Sequence, residues 1–293
     1  MCGIVGLFCK SPELEPRLGE LLASMLVQLS DRGPDSAGIA VYRDPAPDGW
    51  TKLTLYAADP GFDWNAVGGE VVEVRARHGV VLLEGEADEA EASARARLPE
   101  LRVMSAGREI EIYKEVGPPR AFAEAFRLHE FAGSHGLGHT RMATESRVTT
   151  EGSHPFSTGR DLCLVHNGSL SNHNRLREEL RREGLSFATE NDTEVAAAYL
   201  TWRLREGDTL AGALERCLSA LDGFYTFLVG TVDGFAVLRD PIACKPAVLA
   251  EGDDWVAMAS EYRAIAVLPG AAEARIWEPE PTVVYAWERE LAR

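Results

Sequence analysis

Met1-Cys2-Gly3-Ile4-Val5-Gly6-Leu7-Phe8-Cys9 opens the chain, and the reading of that stretch decides the rest. From Cys2 to Phe8 it is a short apolar run of the kind that forms a buried strand. Cys2 has a small side chain, so an initiator Met in front of it is removable and Cys2 is expected to become the N-terminus. A terminal Cys joins a thiol, with a reference pKa of about 8.5, to a free amine of about 8 on one residue. An N-terminal nucleophile that uses its own amine as base is one way to activate a weak attacking group. Taken alone, the stretch reads as a core strand holding an inert apolar Cys. What lies downstream turns that reading.

Four further stretches carry the chemistry: Asp31-Arg32-Gly33-Pro34-Asp35-Ser36-Ala37-Gly38, Gly138-His139-Thr140-Arg141-Met142-Ala143-Thr144, His166-Asn167-Gly168 and Asn191-Asp192-Thr193-Glu194. In this order, behind a Cys at position two, they resemble the class II glutamine amidotransferases, a branch of the N-terminal nucleophile (Ntn) hydrolases. The resemblance covers most of the chain except about residues 45–130. It implies an α+β fold, the Ntn-hydrolase four-layer αββα sandwich of two antiparallel sheets. It also implies an enzyme that hydrolyses the side-chain amide of glutamine through a thioester.

That reaction needs a nucleophile, a base, an oxyanion hole and a grip on a free amino acid. Cys2 is the candidate nucleophile and its α-amine the base. Asn167 and Gly168 are the candidate oxyanion hole, a side-chain amide beside a backbone N–H that both reach one oxygen; the HNG tripeptide by itself reads as a strand-ending turn. Arg141 is the candidate for the glutamine α-carboxylate, because a planar guanidinium fits it with two hydrogen bonds. Asp192 is the candidate for the α-ammonium, although its place at a helix start also suits capping. Thr144 is expected to hydrogen-bond the bound amino acid, and Arg32 and Gly33 to shape the turn near the nucleophile. Met142 stands where many relatives have an aromatic, and Glu145-Ser146 where they have His-Gly or similar. His135 and His139 have H-x-x-x-H spacing, but Gly136 and Gly138 flank them and no helix would carry them, so no metal site is expected.

The formal net charge is −16 and no basic patch stands out, which argues against nucleic acid and against an anionic membrane as partners. The chain holds 5 Cys, with no C-x-x-C, a pattern that fits neither a disulfide framework nor a zinc ribbon. A reducing, cytoplasmic location is expected, and a Cys2 nucleophile requires that no extension remain in front of it.

The expected organisation is one amidotransferase domain over residues 1–293 with an insertion at about 45–130. Ser11-Pro12 reads as a helix start, with leucines recurring at helical spacing to Leu29. Within the insertion, Leu53–Ala57 and Glu70–Arg75 read as strands, and Glu84–Leu98 and Ala121–Phe131 as helices. Asn191-x-x-Glu194 has capping-box spacing ahead of a helix to Arg205, and Asp208 reads as the cap of the next helix. Neither a P-loop nor a dinucleotide fingerprint occurs, so no cofactor is expected in this chain. The stretches look most like the small amidotransferase subunit of glutamate synthase-like systems, including N-methylglutamate synthase. That resemblance implies separate synthase subunits bearing flavin or iron–sulfur cofactors, with L-glutamine as the ligand here. Two alternatives stay open at this point: a stand-alone Ntn amidase, and a non-catalytic glutamine-sensing or scaffold subunit.

Overall fold

The computed structural model describes residues 2–143 and 148–289. The apolar opening is β1 (Gly3–Cys9), buried along its whole length. Its side chains alternate, as a strand's must. Val5, Leu7 and Cys9 enter one core, whereas Ile4 and Phe8 enter another.

The chain next forms α1 (Leu18–Gln28), then β2 (Ser36–Tyr42). The helix starts later than Ser11-Pro12 suggests. Pro16 would be the fifth residue of a helix begun at Pro12, where its missing N–H removes a helical bond. A turn and a 3-10 segment at Glu15–Arg17 precede α1 instead.

The block at 45–130 does not form one separate unit. β3 (Trp50–Tyr56), β4 (Glu70–Arg75), β5 (His78–Glu84) and β6 (Arg102–Gly107) make a four-stranded sheet in the order β4-β5-β3-β6. It has its own apolar core beneath α2 (Ala87–Arg97), to which Leu53, Leu55, Val81 and Ala90 contribute. β7 (Ile110–Val116) then pairs with β2 in the main sheet. The expected helix at 121–131 is α3 (Pro119–Ala125), which packs in the core against α1 and ends where Arg127 turns left-handed at φ 49°.

β8 (His135–Arg141) runs between β1 and β2. β9 (Phe156–Gly159) and β10 (Leu162–Leu170) begin a second sheet. α4 (His173–Arg182), α5 (Asp192–Arg205) and α6 (Leu210–Ala220) follow. Asn191 caps α5 through Thr193 N, but Glu194 bonds Ala188 N and Thr189 N rather than closing the box. Thr209, not Asp208, caps α6; Asp208 instead pairs with Arg203 and Arg216. β11 (Gly223–Thr231) and β12 (Gly234–Arg239) extend the second sheet, and β13 (Val248–Glu251) and β14 (Trp255–Ala259) the first. α7 (Tyr262–Ile265), β15 (Arg275–Trp277) and β16 (Tyr285–Glu288) complete the order.

The two large sheets run β15-β13-β14-β1-β8-β2-β7 and β16-β12-β11-β10-β9, and all their pairings are antiparallel. Three cores separate four layers. One lies between α1, α3 and the first sheet. A second, with Ile4, Tyr42, Leu137, Val165 and Leu228, lies between the sheets. A third lies between the second sheet and α4–α6. This is the αββα stacking that the resemblance implies.

Candidate active site

Strand parity gathers the site. On β1, Ile4 and Phe8 face the gap between the sheets, so Cys2, two residues before Ile4, lies on the same side. On β8, Leu137 faces that gap, and Arg141 shares its parity. On β10, Cys163 and Val165 face it, and Asn167 follows in step. Gly3 pairs with Thr140, so Cys2 and Arg141 emerge side by side at the end of the two strands. Cys2 is half-buried, and its Sγ stands 4.0 Å from the Met142 carbonyl.

Two donors converge on the backbone of Cys2. Asn167 Nδ2 donates to its carbonyl at 3.2 Å, and Arg32 Nε donates to the same oxygen at 3.0 Å. Arg32 is buried and is held in turn by Glu261, whose Oε1 accepts from Nη1 at 2.5 Å. Ser260 accepts from Ile4 N at 3.0 Å and donates its own N–H to the Ile4 carbonyl at 2.9 Å. The end of β14 therefore clamps the strand that carries Cys2. Ser260 and Glu261 were missed as partners of the nucleophile. The Ala259-Ser260-Glu261 stretch was the only signal for them.

Gly33 and Gly168 are glycines for packing reasons. A Cβ on Gly33 would lie 2.4–2.6 Å from the backbone of Thr140 and Arg141, so the turn presses flat on the end of β8. Gly168 has φ 154°, and a Cβ there would lie 2.0 Å from the Phe224 carbonyl.

Arg141 Nη1 donates to the Gly152 carbonyl at 3.1 Å, and Asn191 Nδ2 approaches that oxygen at 3.4 Å. Asp192 opens α5, and its Oδ2 accepts from Leu170 N at 2.9 Å, while Oδ1 lies 3.8 Å from His166 Nδ1. Behind these residues is a histidine wall. His139 and His154 stack with centroids 3.9 Å apart, and His154 and His166 both meet the Thr193 hydroxyl, at 2.6 and 3.0 Å. Burial lowers the pKa of all three, His139 to about 3, so they are neutral near pH 7. Thr144 and Glu145-Ser146 lie outside the described residues.

The thiols differ sharply in setting. Burial pushes Cys9 and Cys163 up to about 12 and raises Cys217 as well, so these remain protonated at neutral pH. Cys244 is exposed.

A glutamine amidotransferase domain family matches residues 139–267. A glutamine amidotransferase-like protein of Rhizobium meliloti is 54% identical over 301 residues, covering 100% of both chains. A putative glutamine amidotransferase of Methanothermobacter thermautotrophicus is 29% identical, over 97% of this chain and 99% of its own. Among solved structures, the glutamine phosphoribosylpyrophosphate amidotransferase of B. subtilis aligns with a TM-score of 0.62 at 23% identity, over 99% of this chain and 48% of that one. The allosteric regulatory enzyme of purine biosynthesis aligns at 0.64 and 23%, over 99% and 47%. The chain thus spans about half the length of these two structures, and at such identity the likeness speaks for the fold.

Proposed function

Since the chain belongs to the glutamine amidotransferase family, of the Ntn type, we propose that Cys2, freed of Met1, is the nucleophile that hydrolyses glutamine. The observation that carries this reading is the convergence of Asn167 Nδ2 and Arg32 Nε on the Cys2 carbonyl. It brings a side-chain amide donor and a fixed guanidinium to the one half-buried thiol at the gap between the sheets.

The Cys2 sulfur attacks the γ-amide carbon while the α-amine accepts the thiol proton. The carbonyl oxygen becomes an oxyanion held by Asn167 Nδ2 and the Gly168 N–H. The amine returns the proton to the leaving nitrogen, ammonia departs, and a glutamyl thioester remains. Water then attacks the thioester and releases glutamate and the thiol. Arg141 takes the α-carboxylate and Asp192 the α-ammonium, with Thr144 as a further hydrogen-bonding group; Arg32 and Gly33 set the turn beside the nucleophile. We further propose that the ammonia passes to a synthase on a separate polypeptide, of glutamate synthase-like type with flavin or iron–sulfur cofactors. Its support is the resemblance of the five sequence stretches to the small amidotransferase subunit of such systems.

Intact-mass analysis joined to labelling by an electrophilic glutamine analogue tests the reading. Loss of Met1 and a single adduct on Cys2 are expected, with ammonia released from glutamine by the unlabelled protein. Cys244 is the exposed competitor, so Cys244→Ser should label to the same extent. An adduct on Cys9, Cys163 or Cys244, or retention of Met1, would overturn the assignment.

A further inference from the structure

Lys114 belongs to β7, in the block that the sequence left without a role, yet it reaches the wall of the proposed glutamine site. It is buried, and its Nζ donates to three carbonyls of the turn-rich segment that leads into β9: Glu151 O at 3.0 Å, Ser153 O at 2.8 Å and Pro155 O at 3.1 Å. The three carbonyls are acceptors enough for every N–H of an ammonium, while burial lowers the Lys114 pKa to about 7. The Phe156 ring closes the cage, with its centroid 4.5 Å from Nζ.

The same segment also meets the proposed substrate-binding residues. The Gly152 carbonyl, between two of the carbonyls bound by Lys114, accepts from Arg141 Nη1 and approaches Asn191 Nδ2. The His154 imidazole, between the next two, meets Thr193 beside Asp192. Glu115, the next residue of β7, adds a bond from the Thr150 hydroxyl at 2.6 Å. The packing leaves no slack: a Cβ on Gly38 of β2 would lie 2.1 Å from the His154 carbonyl and 2.7 Å from Lys114 Cβ.

We propose that Lys114 is a positioning residue for glutamine binding: by holding the carbonyls of Glu151, Ser153 and Pro155 it aligns the segment that orients Arg141 and the Asp192 end of α5. The inference rests on the assignment of Arg141 and Asp192 to the substrate's α-carboxylate and α-ammonium. It gives the block at 45–130 a task, because β7 delivers both Lys114 and Glu115 to this wall. Lys114 Nζ bonds the wall segment rather than Cys2 or Asn167, so its loss acts on the grip and not on those bond-making groups.

Lys114→Met keeps the length of the stem and removes every donor, and Lys114→Gln restores part of the donor set in a neutral group. The glutamine KM is expected to rise about tenfold in Lys114→Met, with kcat within about threefold of wild type and Lys114→Gln between the two. Faster amide hydrogen exchange over residues 150–156, with the exchange of β1 unchanged, should accompany the KM shift. If Lys114→Met fails to fold, the graded KM of Lys114→Gln decides the matter. An unchanged KM in a folded variant, or a loss confined to kcat, would overturn this inference while leaving the glutaminase assignment standing. A wild type that releases no ammonia from glutamine would overturn the assignment itself, and the role of Lys114 in substrate binding with it.

Discussion

Single residues divide the proposed reaction into separable parts. Asn167→Ala removes a donor aimed at charge that develops only in the transition state. Its expected effect is a fall in kcat of about 10²–10³ with KM little changed, read by steady-state ammonia release. Arg141→Lys replaces a planar fork by a point charge, and Asp192→Asn removes an anion. Each should raise the glutamine KM about tenfold or more and leave labelling of Cys2 by a small thiol reagent unaltered. An unchanged KM in both variants would place the substrate elsewhere. These residues could be named as candidates from the sequence because the chemistry asked of them is local: a Cys at position two, an amide beside a glycine, an arginine closing a strand. Glu261 was not legible as the holder of Arg32. It stands 229 residues away in sequence, and an acidic residue after a strand has no distinguishing mark until the fold brings it to the guanidinium.

Among the elements, β7 shows what pattern reading misses. Ile110-Glu111-Ile112-Tyr113-Lys114-Glu115-Val116 has no element assigned to it from the sequence, and its Glu111 and Lys114 are both buried. Glu111 takes Lys52 Nζ at 2.9 Å, Arg43 Nε at 2.8 Å and the Tyr113 hydroxyl at 2.9 Å. Arg43 and Arg75 lie over the Phe131 ring and share Glu73, so the four-stranded sheet is joined to the main body through a buried ionic network. Removing Glu111 takes the carboxylate from buried Lys52, which keeps a bond to the Arg43 carbonyl, while Arg43 keeps Glu73. Glu111→Ala is therefore expected to cost about 3–5 kcal/mol in urea unfolding, well above the cost of Lys52→Met, Glu111→Gln double replacement. A loss below about 1 kcal/mol would mean that the network does not hold the junction. The strands β5 and β6 were missed for a related reason: their pairing partners, not their own alternation, define them.

The whole molecule carries a set of buried neutral imidazoles. Burial holds His78, His135 and His139 at about 3, and His154 well below its ordinary value. Each has a folded pKa below its unfolded value of about 6.5, so between about pH 3 and 6.5 the unfolded chain binds the extra proton. Stability should be fully present above about pH 6.5 and fall as the pH drops, by about 1.4 kcal/mol per pH unit for each such imidazole. Urea midpoints measured from pH 7 to 4 check this. His78→Phe, within a cage of Tyr56, Tyr113 and Phe126, should reduce the slope by about one proton's worth. A pH-independent midpoint over that range would contradict the neutral burial of these rings.

By itself the sequence determined the nucleophile candidate, its proposed chemical partners and the alternation of strands, because each depends on residue type and short spacing. Family resemblance then led from the motifs to a four-layer sandwich. Only the tertiary structure decided that strand parity turns Cys2, Arg141 and Asn167 into the same gap, and that Ser260 and Glu261 clamp the strand bearing the nucleophile. It also split the block at 45–130 into a sheet of its own and a strand that reaches the site wall through Lys114. Those outcomes rest on contacts between segments far apart in the chain. A buried charge there looks in sequence like a solvated one, until packing supplies the carbonyls and counter-ions that allow it to be buried.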